Sequence, residues 1–112
     1  MDINHVHVQV RDLGEAVSWF VRVFDVKSTF RAERMAVMPF GSILLILDQD
    51  EDETLTTIGF GSEDCNDDFG RLTARGAVVI EEPADRPWGV RVAYLQGPGR
   101  LTIEIEQPLP AV

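Results

Sequence analysis

The chain has 112 residues, about one domain on the usual range of roughly 100–200 residues each. A chain this small buries only about two-thirds of the surface its unfolded form exposes, so any binding cavity belongs at a groove, a mouth or a subunit interface. Its composition is 45% hydrophobic and 26% charged, which excludes an intrinsically disordered chain. Nineteen acids against ten bases give a net charge of −9, which disfavours nucleic acid as a partner because its phosphates would be repelled. The same charge suits a cationic or neutral small ligand, although plain solubility is the simpler meaning of acidity taken alone.

The apolar run Met35–Leu47 is broken by Pro39 and Gly41 and is too short to span a bilayer. No basic segment followed by an apolar one opens the chain, so no secretory signal is expected. A single cysteine, Cys65, excludes an internal disulfide and a structural zinc knuckle, and fits a reducing compartment. The expectation is a cytoplasmic protein without a membrane partner.

His5–Val10 alternates, with Val6, Val8 and Val10 on one face and His5, His7 and Gln9 on the other, the mark of a half-buried strand. Asp12 with Glu15 three residues on resembles a capping box and opens a helix with an apolar face of Ala16, Val17, Trp19, Phe20, Val23 and Phe24. Strands are predicted over Lys27–Arg31, Met35–Phe40 and Ile43–Asp48, with Phe40-Gly41-Ser42 joining the last two. Asp48–Glu53 reads as a solvated acidic linker. The pattern then restarts: a strand over Thr56–Phe60, a short helix over Phe69–Arg75 ending at Gly76, and strands over Ala77–Glu81, Arg91–Leu95 and Leu101–Glu106. His5 and Thr57 stand 52 residues apart, as do Asp12 and Asp64, which points to duplication of one strand-helix-three-strand unit.

These residues resemble the vicinal oxygen chelate superfamily, which includes glyoxalase, bleomycin-resistance proteins and extradiol dioxygenases. The resemblance rests on Thr57-Ile58-Gly59-Phe60 through Gly76, on Glu82-Pro83-Ala84-Asp85-Arg86-Pro87-Trp88-Gly89, and on Ile103-Glu104-Ile105. In the first half it rests on His5 seven residues before Asp12-Leu13 and on Trp19-Phe20. Gly97-Pro98-Gly99-Arg100 departs from the family's usual Asp-Pro-Asp-Gly-Asn turn.

The resemblance implies an α+β fold of two paired βαβββ modules, about 1–48 and 55–108 of a single domain over residues 1–112, whose curved mixed sheets form a U-shaped groove. It further implies a homodimer. Metal-dependent members carry four ligands, which fall here at His5, Thr57, Ile46 and Glu104; a two-residue shift puts Asp48 in place of Ile46. His5 and Glu104 alone make a poor site, since a divalent catalytic metal takes three or more protein ligands. Adding His7 and Asp48 gives an unconventional set, but the plainer reading makes both histidines polar groove-lining groups.

The groove-facing candidates for ligand binding are His5, His7, Gln9, Thr57, Gly59, Trp88 and Glu104. Gly59 and Gly61 leave open floor beside them, and Thr102 and Glu106 share the face of Glu104. Trp88 either stacks on an aromatic or cationic ligand or anchors its loop. Trp19 belongs to the core, as do Met35 and Met38 by default. Cys65 follows two carboxylates and is a poor nucleophile. No catalytic triad spacing, phosphate loop or dinucleotide fingerprint is present.

The expected function is therefore metal-free capture of an antibiotic or natural-product-like molecule, cationic or aromatic, in a groove of a homodimer, as in bleomycin-resistance proteins, without cofactor or catalytic residue. The alternative is a glyoxalase- or dioxygenase-type enzyme holding one divalent metal ion in a non-standard ligand set.

Overall fold

The computed structural model describes residues 1–111. The chain divides into two compact units, Met1–Thr54 with Pro98–Arg100, and Leu55–Gly97 with the rest of the C-terminal segment. Unit one contains β1 (His5–Val10), α1 (Leu13–Phe24), β2 (Phe30–Arg31), β3 (Met35–Phe40) and β4 (Ile43–Gln49). Unit two repeats the order as β5 (Thr56–Gly61), α2 (Cys65–Ala74), β6 (Val78–Arg86), β7 (Val90–Gln96) and β8 (Leu101–Pro108). Their sheets have equivalent strand orders, β1-β4-β3-β2 and β5-β8-β7-β6, each with one parallel pair and two antiparallel pairs. The helix caps Asp12 and Asp64 keep the 52-residue offset of the sequence repeat, and each carboxylate accepts from the amide three residues on.

In unit one, Leu13, Ala16, Phe20 and Val23 fall on one stripe of α1 and are buried. The sheet offers Val8, Val10, Ala36, Met38, Leu45 and Leu47 to the same apolar layer. Trp19 is half-buried rather than central; its ring meets Phe20 edge-on at 5.0 Å and lies 5.8 Å from Phe24. In unit two, Cys65 and Leu72 of α2 are buried, as are Ala93, Leu95, Leu101, Ile103 and Ile105 of the sheet. The alternation that sends these side chains to the back sends Thr57, Gly59, Tyr94, Thr102 and Glu104 to the front.

Four local expectations need correction. The strand expected over Lys27–Arg31 shrinks to Phe30–Arg31, because Asp25 closes α1 in the left-handed region (φ 55°) and only these two residues reach β3. Helix α2 starts at Cys65, not Phe69: Asp64 caps it, and Asp67 and Asp68 sit where the helix dipole favours acids. Strand β6 runs through Pro83 to Arg86, which an edge strand tolerates, and its register shifts fall between Val79 and Glu81 and between Glu81 and Ala84.

The acidic segment is the fourth, since it is not merely solvated. Thr54 exchanges bonds with the Gln9 backbone, its hydroxyl accepting at 2.9 Å and its amide donating at 3.1 Å. Asp50 N–H bonds Val10 O, and Glu53 accepts from Arg11 N–H. These contacts satisfy polar groups that the edge of β1 would otherwise leave to water.

Asp68 ties α2 to β5. Ser62 Oγ donates to its carboxylate at 2.5 Å, and Arg71 also donates to it. The Ser62 bond, foremost, holds the Asp68 pKa below its ordinary value. A carboxylate with a lowered folded pKa stabilises the fold above its unfolded pKa, and that stability is lost as pH falls through the folded value. Urea denaturation of Asp68→Asn is expected to show a stability deficit at neutral pH that fades on acidification below about pH 4. A deficit independent of pH would contradict this role.

Candidate functional site

On unit one, β1 presents His5, His7 and Gln9 to the front, and β4 presents Leu44, Ile46 and Asp48 beside them in the register His5↔Leu44, His7↔Ile46 and Gln9↔Asp48. The register makes Ile46 the counterpart of Glu104, since each lies opposite the third residue of its parallel partner from His5 and Thr57 respectively. Asp48 is one pair further along the same face. It reaches back to His7, whose Nδ1 donates to Asp48 Oδ2 at 2.7 Å. His5 Nδ1 donates instead to Asn4 Oδ1 at 2.5 Å, and the two imidazoles meet edge to face with centroids 5.2 Å apart. The Gln9 backbone is held by Thr54 while its residue stays exposed.

On unit two the front face is built in cross-strand rows. Thr57, Thr102 and Gln96 form one row, and Gly59, Glu104 and Tyr94 form the next. Glycine at 59 is not an empty floor: a Cβ there would stand 3.3 Å from Glu104 Oε1, so the missing side chain is what admits the carboxylate. Gly61, by contrast, faces open space. Tyr94 stands opposite Glu104, and the phenol pKa is raised above its ordinary value of 10.0, first by burial and then by hydrogen bonding toward Glu104 and by the Glu104 charge.

Beside this row lies a concavity of about 410 Å³ lined by Ile80, Glu81, Arg86, Trp88, Tyr94 and Thr102. Trp88 stands in the tight turn between β6 and β7 and is 68% exposed, an unusual state for so large an apolar ring. Arg86 Nη2 binds Glu81 Oε2 at 2.6 Å, and Arg86 Nε is buried without an acceptor.

The residues singled out in the sequence thus form two groups. His5, His7 and Gln9 stand together on unit one; Thr57, Gly59 and Glu104 share the front of unit two, where Trp88 lines the concavity. Tyr94, Arg86 and Glu81 were not anticipated. The alternation of Val92, Tyr94 and Gln96 marks Tyr94 as front-facing once β7 is paired with β8. Cys65 is buried at the start of α2, with burial pushing its thiol pKa up, so it offers no nucleophile.

The residues present do not fit a chelated divalent ion within either unit. Of the four implied positions, Ile46 and Thr57 supply only an alkyl chain and a weak neutral oxygen, which leaves His5 on one unit and Glu104 on the other. Among the described residues, no group of three or more His, Cys, Asp or Glu side chains is placed to hold a metal ion.

Two open sheets of this topology, each backed by one helix, define the paired βαβββ class. The model of the Glyoxalase/Bleomycin resistance protein/Dioxygenase superfamily matches residues 2–105, and the chain belongs to that superfamily. Among solved structures it is similar to a glyoxalase/bleomycin resistance protein/dioxygenase from Nocardioides, with a TM-score of 0.89 at 19% identity over 100% of this chain and 86% of the other. It is similar to TioX from Micromonospora sp. ML1, with a TM-score of 0.84 at 23% identity over 97% and 100%. A family enzyme from Burkholderia phytofirmans PsJN gives 0.81 at 16% identity over 97% and 100%. At these identities the likeness is one of fold. No match was found among curated proteins.

Tyr94 is the chain's one tyrosine, so the ultraviolet phenolate signal reads it alone. Its titration midpoint is expected above 10.0, and Glu104→Gln is expected to lower it by removing the carboxylate charge and leaving only a neutral amide acceptor. Gly59→Ala is expected to act in the same direction by pushing the carboxylate aside. A midpoint unmoved by Glu104→Gln would refute the bond.

Proposed function

We propose that the chain is a small-molecule binding protein of the bleomycin-resistance type, which captures a polar, partly aromatic, natural-product-like ligand on its open sheet faces and protects by affinity without breaking a bond. It acts in the cytoplasm as a homodimer and needs no metal ion for binding. The observation that carries this reading is the front of unit two. A carboxylate and a phenol, paired in one cross-strand row, stand beside a concavity of about 410 Å³ with an exposed indole at its margin. Hydrogen-bonding groups around a space of this size, within the usual ligand-pocket range of about 300–1,000 Å³, suit capture of a drug-sized molecule.

Support also comes from what the polar groups are doing. Of the four ligand positions that the resemblance implies, only His5 and Glu104 hold strong donors, one on each unit, fewer than a divalent ion takes. The His7–Asp48 pair orients an imidazole in the manner of a general base, which is the feature a catalytic reading would use.

Calorimetry of chelator-treated protein against a panel of aromatic antibiotics tests the proposal. The expected result is saturable binding of at least one compound, unchanged by the chelator, with the ligand recovered intact. Trp88→Ala is expected to weaken that binding by about fivefold, from about 1 kcal/mol of lost stacking. Binding abolished by the chelator, or turnover of a metabolite that disappears in His7→Gln, would overturn the proposal.

A further inference from the structure

We infer that the concavity of unit two selects an aromatic ligand carrying a carboxylate or a comparable planar acceptor, and that Arg86 is the side chain that reads the acceptor. The inference rests on the binding function proposed above and adds the chemical class of the ligand.

Arg86 is the last residue of β6, opposite Val90 at the start of β7. Pro87-Trp88-Gly89 closes the hairpin, with Gly89 at φ 85° and its N–H bonded to Arg86 O at 3.2 Å. Pro87 has a fixed φ and the Gly89–Arg86 bond closes the turn, so the short span from Arg86 to Trp88 is preorganised. The guanidinium is fixed at its far end as well. Glu81, five residues earlier and on the other side of the register shift, binds Nη2 at 2.6 Å.

One guanidinium N–H is left unsatisfied. Arg86 Nε is buried and has no acceptor. A buried donor without a partner is costly, and an acceptor brought by a ligand removes that cost. The edge by which an arginine grips a carboxylate with two parallel N–H bonds joins Nε to Nη2, and Nη2 has a second hydrogen beyond the one given to Glu81; lysine does not reproduce this geometry.

The charges around the concavity point the same way. Glu81, the one carboxylate of the lining, is paired with Arg86, and Thr102 and Tyr94 are uncharged, while the Glu104 carboxylate stands outside the lining opposite Tyr94. The net charge of −9 draws cations at long range. The lining itself nevertheless holds no unpaired carboxylate to receive one, while it does hold a donor that lacks an acceptor. Trp88, 68% exposed, and Ile80, 48% exposed, offer apolar surface to a flat ring. An aromatic ring with an acceptor on its rim matches both features at once.

Two probes of one shape separate the sign of the charge: 2-naphthoate and 2-naphthylmethylammonium, followed by Trp88 fluorescence in a Trp19→Phe background. Naphthoate is expected to bind at least about tenfold more tightly than the ammonium. Arg86→Gln is expected to erase that preference. Arg86→Lys, which keeps the charge and loses the fork, is expected to lose most of it. Equal or tighter binding of the ammonium overturns the inference, as does an Arg86→Lys protein that behaves like the parent. If neither probe binds while the antibiotic panel does, the inference falls and the binding function stands; if nothing binds in either experiment, both fall. The preference of the unsubstituted Arg86 protein decides the matter even if Arg86→Gln fails to fold.

Discussion

A four-stranded sheet has two faces, and each unit of this chain has a single helix to cover them. That constraint shapes everything else. Period-2 alternation sends Val8, Val10, Leu45 and Leu47 toward the layer that also holds the α1 stripe of Leu13, Ala16, Phe20 and Val23. The same alternation must send the intervening residues the other way, where no helix of that unit waits. Polar side chains are tolerated there and free to specialise, so imidazoles, carboxylates, hydroxyls and a phenol collect on the front. Val37 and Val92 are buried there too, so the face is furnished rather than wholly bare.

What the front-facing groups do depends on their partners more than on their identity. A histidine and a glutamate at positions where relatives of the superfamily carry ligands would suggest coordination if read one at a time. Here those residues are His5 and Glu104, and the other two such positions hold Ile46 and Thr57, which add no further strong donor. His7 is oriented by Asp48, and Tyr94 stands opposite Glu104. Gly59 belongs to the same device, because its missing side chain is the space that the Glu104 carboxylate occupies. The resulting face offers apolar surface and hydrogen-bonding groups.

The repeat and most strands were legible because alternation and capping are local signals. Asp12 and Asp64 mark both helix starts, and the valines of β1 mark its back face. The start of α2 was obscured by Asn66, Asp67 and Asp68, which look like loop until Asp64 is seen to cap them. The length of β6 was hidden by Pro83, which argues against a strand in general but not against an edge strand. The face on which Asp48 lies could be anticipated from parity, whereas its bond to His7 could not, since nothing local fixes the register of β1 against β4. Tyr94 and Arg86 escaped notice for a related reason. Their significance comes from pairing across β6, β7 and β8 and from a register shift that no nearby residue announces.

The account stands or falls on whether the front face holds its guest through its own side chains. Elemental analysis of ligand-saturated protein, purified without added ions, tests this most directly. It should find a full complement of ligand with only traces of transition metal. A divalent ion retained in one-to-one ratio with the chain, and lost together with the ligand in Glu104→Gln, would contradict it.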